Sequence, residues 1–315
     1  MNELLKSVNE KAYRVLLVRD GKNDADWLRA RQQNGVGASE SPIICDLSPW
    51  GSIVKLYGQK IGLIEPDDEN EAMRWGKLLE PVILEEYRRE TGRSVVGSNA
   101  LLQSIAHPYL LATPDGEQHA EDHDGPGIVQ VKLTSLASAW KDGVPRYVWA
   151  QMQQEMFVTG YSWGTAVALL NGTKLVWADV EAEAQWEETL IHKCGDFWNR
   201  VVNREPIPQH WIDGSDDTSD AIKRMFPERL IGETAELSGE FFDIHGRLRD
   251  AEGLKEQAED IVKTLRNQIK LAIGEKSFGR LPDGTTYSYK TQHRDGYAVQ
   301  PTDFRVLRLM KGSVN

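Results

Sequence analysis

The order of apolar patterns predicts an α/β fold, with a central mixed sheet flanked by helices and a helical and hairpin extension at the C-terminal end. Three observations carry this. Short apolar runs bounded by Gly, Pro and Asp alternate with longer stretches whose apolar residues recur every three or four positions, the mark of strands interleaved with helices. Asn171-Gly172 stands between two apolar runs, a strong hairpin signal. Finally, the acidic, small-residue run Asp213-Gly214-Ser215-Asp216-Asp217-Thr218-Ser219-Asp220 separates this mixed region from a long amphipathic repeat.

The mixed region runs from Trp27 to about Gln209. Between Glu71 and Thr91, Met73, Leu78, Leu79, Val82, Ile83, Leu84 and Tyr87 are spaced for a helix with one buried face, with Pro81 marking a kink or junction. Leu110-Leu111-Ala112 and Ile128-Val129-Gln130-Val131 read as strands. Tyr147 to Thr159 reads as a helix stopped by Gly160. Thr165 to Leu170 and Lys174 to Trp177 flank the hairpin turn, and a helix from about Glu181 to Arg204 stops before Pro206 and Pro208. These elements place a core at residues 1–212, a linker at 213–232 and an extension at 233–315. In the extension, Leu254, Ala258, Ile261, Leu265, Ile269 and Ile273 give a helix from roughly Glu233 to Ile273, ended by Gly274, and Leu281 to Tyr289 form a small hairpin.

With 315 residues, 40% of them hydrophobic, the chain can bury a sizeable core. No stretch is apolar enough to cross a bilayer, and the first residues lack a signal-peptide pattern, so a cytoplasmic location is expected. Cys45 and Cys194 lack metal-ligand spacing and are expected to be buried thiols. A net charge of −11 argues against a protein that coats nucleic acid nonspecifically, because that binding rests on neutralising phosphates. It does not exclude a nuclease, which gathers carboxylates for a metal and confines its basic groups to a channel.

The densest chemistry lies at Ala112-Thr113-Pro114-Asp115-Gly116, followed by Gln130-Val131-Lys132. Hydrolysing a phosphodiester with Mg²⁺ needs hard oxygen ligands and a nearby cation for the attacking water, which Asp115 and Lys132 can supply. On a strand, residues 130 and 132 share a face. Taken singly, Thr113 to Gly116 is a turn and Lys132 a surface lysine; together they suggest a site. A glutamine at 130 can ligate through its amide oxygen but brings no charge. Glu80 could supply that charge, although spacing alone favours a solvent-facing residue beside Glu85 and Glu86. Gln151 and Gln153, two apart on a helix, should not both reach one site. His107, His119 and His123 surround Asp115 in a loop-like run, which disfavours a zinc site. Among ten tryptophans, Trp163 and Trp177 read as core, and Trp50 and Trp140 as candidates near substrate.

From Trp27 to Trp177 the chain resembles the YqaJ viral recombinase family, the phage-type alkaline exonucleases similar to lambda exonuclease, within the PD-(D/E)xK nuclease superfamily. Five segments occur in the family's order: Gly35 to Glu40 with Leu47-Ser48-Pro49-Trp50; Trp75 to Pro81; Thr113 to Gly116; Val129 to Lys132; and Gln151-Met152-Gln153 with Met156 to Gly160. The resemblance implies a restriction-endonuclease-like core. It implies that Glu80, Asp115, Gln130 and the Val131 carbonyl hold divalent ions, Mg²⁺ or Mn²⁺ and two per site. Lys132 would position or activate water, supported by Gln151, while Ser39 with Arg31 and Thr113 would hold a 5′-terminal phosphate; Arg29 competes with Arg31. The implied activity is hydrolysis of one strand of linear double-stranded DNA, 5′ to 3′, feeding a single-strand annealing protein in phage-type recombination. A homo-oligomer, in some relatives a ring, and a phage or prophage setting in a bacterial host are implied as well. Gln130 departs from the pattern and leaves two readings, a glutamine that still ligates or an inactivating change that leaves a DNA-end binder. An endonuclease of the same superfamily is a further alternative.

Overall fold

In the computed structural model, which describes residues 12–20, 22–227 and 233–293, the chain divides into two units between residues 229 and 230. The first opens with β1 (Tyr13–Val18), α1 (Asp24–Gln33), β2 (Val36–Gly37), α2 (Ser41–Ile44), α3 (Ile53–Lys60) and α4 (Glu71–Thr91). Next come β3 (Ser94–Gly97), β4 (Ala100–Ser104), β5 (Leu110–Ala112), β6 (Gly116–His119) and β7 (Gly127–Thr134). The unit ends with α5 (Arg146–Thr159), β8 (Trp163–Leu170), β9 (Lys174–Glu181), α6 (Ala184–Asn203) and α7 (Asp216–Met225).

The main sheet has the order β3-β6-β7-β8-β9. Among the described strands of this sheet only β7 and β8 run parallel, and α5 makes the crossover between them. A smaller sheet has the order β1-β4-β5-β2. The mixed sheet flanked by helices is the predicted fold class. α5 is buried almost all round because it packs in two directions: Val158 joins Leu102 and Leu110 of the smaller sheet, while Met152 and Met156 join Ile128, Ala166 and Ala168 of the main one. On the main sheet's other face, Ile83, Leu84 and Tyr87 of α4 pack on Val95, Val129, Val131 and Val167.

Three expectations are corrected. α4 runs unbroken through Pro81, from the Asn70 cap to Gly92 in a left-handed conformation. Its buried residues all follow Pro81, whereas Met73, Leu78 and Val82 are 53%, 52% and 61% exposed. Pro81 thus makes no break in the helix. The run read as a linker instead caps and starts α7. The Ser215 side chain accepts from the Thr218 N–H, and Asp216 and Asp217 oppose the helix dipole in the first turn. Thr218 then buries its hydroxyl against Ser52 Oγ at 2.6 Å, and Ala221 and Met225 enter the core. Composition alone mistook a helix start for an exposed linker.

Cys45 and Cys194 are buried free thiols. In the second unit, α8 (Phe241–Ile273) starts later than predicted and ends at Gly274 as predicted, and β10 (Phe278–Arg280) pairs with β11 (Thr286–Ser288). Among the described residues no helix is long and apolar enough to cross a membrane.

Candidate active site

Asp115 sits immediately before β6, where Gly116 pairs with Val129 of β7. Its N–H donates to the Val129 carbonyl at 3.0 Å and its own carbonyl accepts from Ser98, so the backbone on both sides fixes the side chain. The carboxylate reaches along β7: Oδ2 accepts from Gln130 Nε2 at 2.6 Å and from the Val131 N–H at 2.7 Å. One residue beyond Val131 and on the Gln130 face, Lys132 Nζ donates to Gln151 Oε1 of α5 at 2.9 Å. The strand period read from sequence therefore does bring 115, 130, 132 and 151 together.

Glu80 faces the same group from α4. Burial, reinforced by the neighbouring Asp115 carboxylate, raises its carboxyl to about 7, against the pull of Arg19 and Lys132. Burial likewise raises Asp115 to about 6, opposed by Lys132, the Val131 N–H and the Gln130 amide. Two acids whose ionised forms are both disfavoured because they share a poorly solvated space are a receptive setting for a cation. The solvent-facing placement that spacing favoured for Glu80 is thereby corrected, since the approach of Asp115 is a tertiary event.

Do these residues fit a divalent ion? Gln130 Oε1 is buried with no hydrogen-bond partner, because its own Nε2 is committed to Asp115. An orphaned hard oxygen on the amide that touches Asp115, with Glu80 near enough to act on the same carboxylate, is a donor set that suits Mg²⁺ or Mn²⁺. The residues present fit the group.

A second cluster lies at the end of α1. The Arg31 guanidinium donates to the Ser39 hydroxyl and lies 5.6 Å from the Trp27 ring centroid. A Cβ on residue 37 would come within 2.9 Å of Arg31 Nε, so Gly37 is needed for this approach. Arg29 instead pairs with Asp26 and is exposed, which separates the two arginines. Thr113 is half-buried at the β5–β6 connection and makes no hydrogen bond to either residue. Beneath the cluster, Lys60 has a side chain only 2% exposed and pairs with Glu40 at 2.8 Å. It also donates to the Gly35 and Arg31 carbonyls, and Glu40 accepts from the Gly37 N–H. That buried ion pair sets the shape of the 35–40 loop, and nothing in the sequence marked Lys60.

Other candidates go elsewhere. Gln153 donates to the Glu181 carbonyl and accepts from the Glu183 N–H, away from Gln151, as the helical spacing required. His123 stacks on Trp163, His107 packs against Tyr109 and Phe157, and His119 is exposed, so the three imidazoles do not converge. Trp140 is buried, Trp177 is 40% exposed rather than core, and the half-exposed Trp50 packs edge-on against Tyr147. Missed altogether was Glu155, one helical turn after Gln151 and facing it; the four-residue spacing was the available signal.

Residues 26–162 match the model of the YqaJ-like viral recombinase domain. Over that span the chain is similar to the YqaJ-like viral recombinase domain. All the site residues named above from Arg31 to Gln151 fall inside it. The chain is 25% identical over 281 residues to "Uncharacterized protein YqaJ" of Bacillus subtilis (strain 168), covering 86% of this chain and 85% of that protein. Among solved structures it is similar to an alkaline exonuclease (LHK-Exo) from Laribacter hongkongensis, at 23% identity and TM-score 0.46, covering 57% of this chain and 93% of the other. It is also similar to a phage related exonuclease from Haemophilus somnus 129PT, at 7% identity and TM-score 0.44, covering 55% and 97%. The matched span ends just before β8, and β8, β9, α6 and α7 lie beyond it.

Proposed function

We propose that the chain is a divalent-metal-dependent deoxyribonuclease that degrades one strand of linear double-stranded DNA from a 5′ end. The observation that carries this reading is the convergence of Glu80, Asp115 and the unpartnered Gln130 Oε1 beside Lys132. Glu80, Asp115, Gln130 and the Val131 carbonyl would hold Mg²⁺ or Mn²⁺, two ions per site. Such an ion supplies charge neutralisation on the scissile phosphate and lowers the pKa of a bound water.

The protein's own groups do the rest. Lys132 spends one of its three donors on Gln151 and keeps two for an attacking water and a phosphate oxygen. Arg31, steadied by Ser39 and Trp27, offers the planar fork that suits a 5′-terminal phosphate, with Thr113 close in sequence to the reacting centre. The raised carboxyls of Glu80 and Asp115 favour ion loading in neutral to alkaline solution. Product strands with 3′ overhangs would feed a single-strand annealing protein in recombination, and assembly into a homo-oligomer that surrounds DNA would confine cutting to ends.

The test uses a 5′-phosphorylated linear duplex and the same DNA as a closed circle, each with Mg²⁺ or EDTA. Nucleotide release from the linear form alone, dependent on Mg²⁺, is expected. Cutting of the circle would replace the exonuclease reading by an endonuclease. Tight end binding without release would make the protein a DNA-end binder, the reading that the neutral Gln130 favours.

A further inference from the structure

Gln151 presents an amide whose two ends are alike in shape and opposite in function. With its oxygen toward Lys132 it accepts a hydrogen bond; turned over, it would set an NH₂ group against an ammonium group, donor against donor. One turn further along α5, Glu155 Oε1 accepts from Gln151 Nε2 at 2.9 Å. Glu155 is fully buried, 0% exposed, and its second oxygen has no hydrogen-bond partner. A carboxyl that leaves half its capacity unused in an apolar interior costs stability relative to a methionine of similar volume, so packing alone gives no account of it. The charged groups whose fields reach it are Asp115, Lys132 and Arg31.

We propose that Glu155 is a positioning residue: by accepting from the Gln151 amide nitrogen it turns the amide oxygen toward Lys132 and so fixes where the lysine ammonium stands. The proposal deepens the nuclease reading and rests on it for its kinetic consequence, though not for its geometry. Burial raises the Glu155 carboxyl to about 8, and in either protonation state one oxygen remains able to accept.

The test compares Glu155→Met, Glu155→Leu and Glu155→Gln with the unaltered chain. In ¹⁵N spectra, the Gln151 side-chain amide protons are expected to exchange slowly in the unaltered chain and in Glu155→Gln, and rapidly in both apolar variants. On linear duplex, kcat should fall about tenfold to a hundredfold in the apolar variants, the range for losing a group that orients a reacting side chain, with KM unchanged and melting temperature equal or higher. Glu155→Gln should stay within about threefold, and Glu155→Met placed on Gln151→Ala should add no further loss, because Glu155 acts through Gln151. Slow amide exchange retained in the apolar variants, or an equal kcat loss with Gln151 absent, would overturn the proposal. If the unaltered chain released no nucleotides, the nuclease reading would fail while the amide exchange still decided this one.

Discussion

Replacing Gln130 by glutamate tests how the site manages charge. Gln130 Nε2 donates to Asp115 Oδ2 at 2.6 Å, so the substitution removes a hydrogen bond to a charged group, worth about 1.5–3 kcal/mol. It also sets a second carboxyl against the first. At an effective dielectric constant near 20, two unit charges about 4 Å apart repel by roughly 4 kcal/mol, and taking up a proton relieves part of that. A net loss of about 2–5 kcal/mol in the metal-free protein follows, which lowers the melting temperature of a unit this size by roughly 5–15 °C. A divalent ion reverses the sign of the effect, since the new carboxylate becomes a charged ligand; tenfold tighter binding adds about 1.4 kcal/mol at saturation. Scanning fluorimetry in EDTA and across a Mg²⁺ titration reads both terms, and nuclease activity should be equal or higher. A Gln130→Glu variant that melts together with the unaltered chain in EDTA and responds to Mg²⁺ as it does would refute the reasoning, as would a clear activity loss at unchanged metal affinity.

Other consequences concern protons and anions. Glu80 at about 7 and Asp115 at about 6 must lose protons to ligate, so Mn²⁺ affinity by calorimetry should rise steeply from pH 6 to pH 8 with proton release; a flat profile contradicts the pairing. Glu155 is raised from 4.5 unfolded to about 8 folded, so the stability it contributes is complete below pH 4.5 and is lost as pH rises through 8. Urea unfolding of the unaltered chain should therefore weaken by up to about 4 kcal/mol relative to Glu155→Gln between pH 5 and 8.5, an upper bound. Arg31→Lys should reduce the preference for 5′-phosphorylated over 5′-hydroxyl ends by about tenfold, because an ammonium cannot make the paired hydrogen bonds of a guanidinium. Equal preference in both proteins would separate Arg31 from the phosphate.

What could be read from the letters was local. Asp115 and Lys132 were legible as partners because a Pro-Asp-Gly turn leads into a strand and the strand period sets 130 and 132 on one face. The choice between Arg29 and Arg31 needed the phase of α1 against the 35–40 loop, which no spacing rule gives. Spacing alone pointed Glu80 toward solvent, because its surroundings are made by Asp115 arriving from a distant segment. Met73, Leu78 and Val82 have helical periodicity yet face outward, since periodicity marks an apolar stripe without saying what covers it. The acidic run before α7 shows the reverse error, in which linker composition concealed a serine cap and a buried threonine. Glu155 could have been found, for it lies four residues after Gln151 on one helical face.

The most direct measurement is an anomalous-difference map of crystals soaked in Mn²⁺. A peak bounded by the Glu80 and Asp115 carboxylates and Gln130 Oε1, abolished by Asp115→Asn, is the expected result. Mn²⁺ bound elsewhere, or cleavage that persists in Asp115→Asn, would contradict the assignment of this cluster as the reacting centre.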